Sequence, residues 1–177
     1  MDPSIIRTVF AGAAAEQWFN AELFRHIAST ELKGLTVYPE VGKRDLAVLV
    51  VPADGGPPYP ELFVEVKLVY YNYRGSTRDA KIAKLVEQMK PRRDGIRCIG
   101  FLLGIYAHYE RPEDVRESFA SFRRDVYTRA KRIVDDGSAF RLAKPTMETF
   151  VPEGAVRIGD RLAHVGVVAQ YLVPKSK

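Results

Sequence analysis

The clearest alternation of apolar and polar positions lies in ELFVEVKLV at residues 61–69, where Leu62, Val64, Val66 and Leu68 recur at every second place. That period predicts a strand. DLAVLVV at 45–51 predicts another, and PADGGPPYP at 52–60 is dense enough in proline and glycine to turn the chain between them, so the two pair as an antiparallel hairpin. IRCIGFLLGIY at 96–106 is apolar almost throughout, as a strand is when both faces of its sheet are covered. Three segments read as helices. The first spans 11–29, rich in Ala, Glu, Leu and Phe, with Gly34 a few residues past its end. The second spans 77–89 and stops at Pro91, and the third spans 111–134, with Pro112, Glu113 and Asp114 in its first turn and Gly137 at its end. A short strand at 35–38 and two C-terminal strands at 155–158 and 162–173, joined by Gly159-Asp160-Arg161, complete the set. The order predicts an α/β (α+β) fold in a single domain over 1–177, with a central mixed β-sheet flanked by helices.

Composition narrows the class without fixing it. The 177 residues are 46% apolar and 28% charged, as in a globular domain, and the net charge of +5 leans mildly toward a polyanionic partner. The single cysteine, Cys98, excludes an intramolecular disulfide and a multi-cysteine zinc cage, and its apolar neighbours mark it as a small buried hydrophobe. His26, His108 and His164 lie far apart and show no metal-ligand spacing. MDPSIIRTVF is no secretory signal, and no apolar run reaches the roughly 20 residues that span a bilayer, so the expectation is a cytoplasmic protein without a membrane partner.

Candidate chemistry begins with Glu65 and Lys67. Two apart on a strand, they share a face. With the hairpin turning near residue 56, Asp45 falls opposite about residue 67 and so beside both, across a strand spacing of about 4.8 Å. Two carboxylates at that range suit one hard divalent cation. Glu16 adds a third acid: at about 100° per residue it falls within the apolar stripe of Phe19, Leu23, Phe24 and Ile27. A carboxylate there needs a partner, either a metal site or a lysine such as Lys67. Asn20 shares that face, whereas Glu22 lies off it and is solvated. Each residue also has an ordinary reading: Glu65 and Lys67 as a surface ion pair, Asp45 as a strand-entry residue, Glu16 as a helix-edge acid.

Taken together, Glu16 on the first helix, Asp45 at the start of one strand and Glu65-Val66-Lys67 on the next resemble the PD-(D/E)xK, or restriction-endonuclease-like, nuclease superfamily over about residues 11–106. The resemblance implies a core of order αβββαβ, here extended by a further helix and a C-terminal hairpin. It implies a Mg²⁺- or Mn²⁺-dependent nuclease, with Asp45, Glu65 and the Val66 carbonyl as metal ligands and Lys67 orienting or deprotonating the attacking water. Glu16 would bind the metal through water or hold Lys67. The sequence departs from the family pattern twice: Arg44, not proline, precedes Asp45, and no Gln-x-x-x-Tyr follows the ExK strand. DNA as the substrate, more than RNA, is implied by the resemblance alone.

Between Lys67 and Arg93, eight basic side chains stand against two acidic ones, a local charge of +6. Its start, Tyr70, Tyr71, Asn72, Tyr73 and Arg74, interleaves aromatic faces with polar groups, and Arg78 and Lys81 follow, a pattern suited to a phosphate backbone and stacked bases. The ordinary reading is a solvated helix face with tyrosines packed into a loop. The third helix has balanced charge, and Phe119, Phe122, Val126, Ala130 and Ile133 follow core spacing. Beside the nuclease stand a noncatalytic nucleic-acid-binding or interaction protein that keeps the fold, and an α/β domain with no nucleic-acid role. A homodimer or partner protein for target selection stays open.

Overall fold

The apolar run at 96–106 lies where its composition puts it, in the middle of a sheet. The computed structural model describes residues 14–30, 34–39, 44–90, 96–108, 112–136, 138–143, 147–158 and 161–175. Its elements in chain order are α1 (Ala14–Ala28), β1 (Leu35–Pro39), β2 (Leu46–Val50), β3 (Tyr59–Tyr70), α2 (Gly75–Met89), β4 (Arg97–His108), α3 (Pro112–Asp135), β5 (Phe140–Leu142), β6 (Met147–Ile158) and β7 (Arg161–Pro174). The strands run β1-β2-β3-β4-β7-β5 across the sheet, and β6 shares the outer edge of β7 with β5. Among the described strands only β3 and β4, joined through α2, pair in parallel, so the sheet is mixed and the fold is α+β.

Both sheet faces are covered, which explains the continuous apolar character of β3 and β4. On one face α2 and α3 bring Ile82, Leu85, Met89, Phe119, Phe122 and Val126 onto Phe63, Val69, Leu102, Tyr106, Val168 and Leu172. On the other, α1 lays Phe19, Leu23, Phe24 and Ile27 against a layer that includes Val64, Val66, Leu68 and Ile105. The stripe read from the sequence of α1 is therefore its packing face. The predicted core face of α3 is likewise buried at Phe119, Phe122, Val126 and Ala130. No helix among the described residues is long and apolar enough to cross a membrane.

The hairpin register needs correction. Leu46 pairs with Val64, so the same register carries Asp45 to Glu65, two residues short of the expected Lys67. Two features set it, in opposite directions: the early turn moves the pairing by three residues, and an extra residue on β3 returns one. The turn closes at Gly55, whose N–H donates to the Pro52 carbonyl at 3.2 Å and whose φ of 77° suits a residue without a side chain. An irregularity between Val48 and Leu49 then leaves Glu61 as an extra residue on β3. The three-residue β5 was too short to announce itself, and β6 begins at Met147, not at residue 155, because its pairing with β7 is interrupted, not ended, between Val151 and Val156. The expected helix start at Ala11, the stops at Pro91 and Gly137, the turn at Gly159-Asp160 and the basic residues Arg92 and Arg93 lie outside the described residues.

Gly166 on β7 lies against the buried ring of Phe119, and a Cβ added there would collide with two ring carbons and crowd a third. Gly166→Ala should cost about 1–3 kcal/mol through overpacking. Urea unfolding measures this as a lower midpoint with an unchanged slope, and a midpoint equal to wild type would show that Phe119 does not rest on this glycine.

Candidate active site

Beyond Val64, β3 outruns β2. Its β4 side stays paired as far as Tyr70, but among the described residues no strand pairs with its other edge there. The backbone N–H groups on that edge still need acceptors. Two carboxylates supply them. Asp45 Oδ2, at the point where the chain enters β2, accepts from the Val66 N–H at 2.7 Å. Glu16 Oε2, in the first turn of α1, accepts from the Leu68 N–H at 3.4 Å. Its other oxygen, Oε1, is ion-paired with Lys67 Nζ. Glu16, Asp45 and Lys67 thus converge at one end of an open strand edge, as the sequence suggested.

Glu65 is placed differently. It is 1% exposed, and its Oε1 accepts from Arg44 Nη1 at 2.9 Å. Arg44 is equally buried, at 3% exposure, and its Nη2 also donates to the Lys90 carbonyl at the end of α2, 3.2 Å away. Its guanidinium lies 5.4 Å from the Phe63 ring centroid. Glu65 Oε2 and Arg44 Nε have no hydrogen-bond partner among the described residues. Neither reading of Glu65 as a surface ion pair nor one that ignored Arg44 describes this buried pair.

The electrostatics follow from the placement. Burial pushes the Asp45 carboxyl above the ordinary aspartate range; the Val66 N–H, Lys67 and the Asn20 side chain pull it back, and Glu16 pushes it further up. Burial also raises Glu65, where the hydrogen bond from Arg44 acts downward and the Asp45 charge upward. Three carboxylates, Glu16, Asp45 and Glu65, are thus set against two cations, Arg44 and Lys67.

A cleft of about 1020 Å³ opens over this edge, lined by Glu16, Gln17, Asn20 and Ala21 of α1, Pro39, Asp45, Leu68 and Tyr70, Tyr73, and Lys81 of α2. The expected nucleic-acid contacts divide here. Tyr70 and Tyr73 stand edge-to-face at the cleft, their centroids 5.2 Å apart, and burial, with Tyr73 and Glu16 nearby, pushes the Tyr70 phenol up to about 12. Lys81 joins them with no ion-pair partner among the described residues. Asn72 and Arg74 are exposed on the turn that follows. Tyr71 and Arg78 are not at the cleft. The Tyr71 ring packs on Tyr106 and Phe122, its hydroxyl 3.0 Å from Ser118 Oγ. Arg78 is ion-paired to Asp125, donates to the Tyr70 and Tyr71 carbonyls and lies over Phe122. Both tie the turn after β3 to α3.

Arg44 is the residue that reading the sequence missed. In the sequence it stands only in the place of the proline of the PD-(D/E)xK pattern. The available signal was an arginine at the mouth of an apolar strand, one residue before a candidate acid. Cys98 is buried as expected, its thiol pushed up to about 12 by burial. Set against known proteins, the chain matches no family model, no curated protein and no solved structure.

Proposed function

We propose that this chain is a metal-dependent nuclease with a restriction-endonuclease-like core, hydrolysing phosphodiester bonds in DNA rather than RNA. One observation carries the reading. Glu16, Asp45 and Lys67, from α1, the entry to β2 and β3, meet at an open strand edge beneath a cleft, with Glu65 alongside. The preference for DNA rests on the resemblance to the PD-(D/E)xK superfamily.

The donor set suits a hard cation. Among the described residues no three acidic, histidine or cysteine side chains stand close enough to hold an ion together. Two carboxylates plus a backbone carbonyl and water are what Mg²⁺ accepts, and the buried Glu65 Oε2 is a carboxylate oxygen still lacking a partner. Asp45, Glu65 and the Val66 carbonyl would hold Mg²⁺ or Mn²⁺, which supplies charge to offset that developing on the phosphoryl oxygens. Lys67 Nζ, held by Glu16 Oε1, orients the attacking water, and Glu16 fixes the ammonium against the strand edge. Tyr70 and Tyr73 offer faces for bases, and Lys81 a charge for the backbone. The Arg44–Glu65 pair favours a second reading, a noncatalytic nucleic-acid-binding module, because a carboxylate already neutralised has less need of a metal.

Cleavage of plasmid, linear and single-stranded DNA and of RNA, assayed with Mg²⁺ or Mn²⁺, tests the choice. Lys67→Ala and Asp45→Ala should each lower the rate about 100-fold or more. Cleavage that survives both substitutions removes the site; salt-sensitive binding with no cleavage of any substrate selects the second reading.

The raised Asp45 carboxyl makes a stability prediction with a definite sign. A carboxyl whose folded-state value is raised holds its proton more tightly when folded, so this group's contribution to stability falls as pH rises from the ordinary aspartate range through its raised value. With a chelator present, Asp45→Asn should therefore melt higher than wild type at pH 7, and the gap should close on acidification. A melting difference that does not change with pH would show that the Asp45 charge is not penalised by its surroundings.

Lys81 and Arg78 separate binding from packing. Lys81→Ala should weaken binding to a DNA oligonucleotide and lower the slope of log K against log salt by about 1. Arg78→Ala should lower the melting temperature and leave that slope unchanged, because its guanidinium is committed to Asp125 and two carbonyls. Fluorescence anisotropy across a salt series, with melts of both variants, distinguishes the two.

A further inference from the structure

Arg44 and Glu65 form a half-made pair. An arginine and a carboxylate frequently engage through two parallel N–H···O bonds. Here a single bond joins Nη1 to Oε1, the second nitrogen turns to the Lys90 carbonyl, and Nε and Oε2 are left buried without partners among the described residues. Leaving such atoms unpaired is costly, and better geometry within the pair would remove the cost. The arrangement makes sense if Oε2 is kept for another cation while Arg44 holds the carboxylate in place through Oε1. The guanidinium is part of the chain, so it acts on Glu65 whether or not an ion is bound.

We propose that Arg44 is a built-in counter-ion for Glu65, which keeps the acidic site assembled without a metal and weakens the site's hold on a divalent cation. This rests on the metal-site reading above. A fixed positive charge beside Glu65 repels an incoming divalent ion, so removing it should tighten binding. It should also leave Glu65 buried and uncompensated until the ion arrives, so the variant becomes dependent on metal for stability.

The test is Mn²⁺ binding by calorimetry and melting with and without Mn²⁺, on the full chain. Arg44→Met should melt below wild type in chelator, gain more from Mn²⁺ than wild type gains, and bind Mn²⁺ about tenfold more tightly. Arg44→Lys, which keeps the charge, should retain the wild-type affinity. The proposal is overturned if Arg44→Met binds Mn²⁺ no more tightly than wild type, or if Arg44→Lys tightens binding as much as the methionine does. It is overturned too if Arg44→Met stays unfolded in millimolar Mn²⁺, since the cation then cannot replace the guanidinium. Wild-type protein that takes up no Mn²⁺ fails differently: it removes the metal site itself, and with it the role given to Arg44.

Discussion

A strand longer than its neighbour leaves backbone groups that something else must satisfy, and the candidate site is built on that constraint. β2 ends at its pairing with Val64, while β3 continues to Tyr70 beside β4. The Val66 and Leu68 N–H groups on the abandoned edge are met by Asp45 and Glu16. Carboxylates used this way are stabilised by the N–H groups they accept from, yet each keeps lone pairs for other work. The same geometry that closes the hydrogen-bond account of β3 thus gathers acids and Lys67 at one place, and α1 on one sheet face and α2 on the other wall the cleft above them.

That gathering is opposed by desolvation. Burial raises both Asp45 and Glu65, and each acid feels another nearby. The chain answers with two internal cations in different ways. Lys67, itself buried, is drawn to Glu16, which is partly open to the cleft, so this pair meets the cleft through Glu16. Arg44 is sealed between Glu65, the Phe63 ring and the end of α2. Farther from the cleft, Arg78, Asp125, Arg129, Asp79 and Arg132 form a linked set of ion pairs between α2 and α3, anchoring the wall that carries Lys81. Burial pushes the Asp79 carboxyl up, but Arg129 and Arg132 outweigh it and hold Asp79 below the ordinary range.

Much of this was legible in the sequence because it follows from local composition and periodicity. The strand at 61–69 and the inward face of Glu16 come from the spacing of apolar residues, the strands at 45–51 and 96–106 from continuous apolar character and the helices from composition and end signals, and the structure places them within a few positions. What escaped was set by contacts with no local signature. The hairpin register was set by the early closure of the turn at Gly55, partly offset by an irregularity at Val48/Leu49, and no composition rule marks either position. β5 exists because Phe140–Leu142 meets the end of β7, a long-range pairing with only three residues to announce it. Tyr71 and Arg78 looked like their neighbours Tyr70 and Arg74. Which of them faces the cleft depends on how the chain turns after β3 and on where α3 arrives, neither of which the sequence of that segment encodes.

The two residues at the entry to β2 show how tightly fold and site are joined. Successive side chains along an extended chain leave on opposite sides. Arg44 and Asp45 use this to serve two residues of β3: Arg44 reaches Glu65 beneath α2, and Asp45 reaches the Val66 N–H on the open edge. Both bonds span 21 residues of sequence and are fixed by the single register of the hairpin. A slip of one residue would turn β2 over, carrying Leu46 away from Val64 on the α1 face, and would pull Arg44 and Asp45 off both partners. The two bonds at the entry to β2 therefore belong to the same register that buries Leu46, and the pairing that builds the core is the pairing that assembles the site.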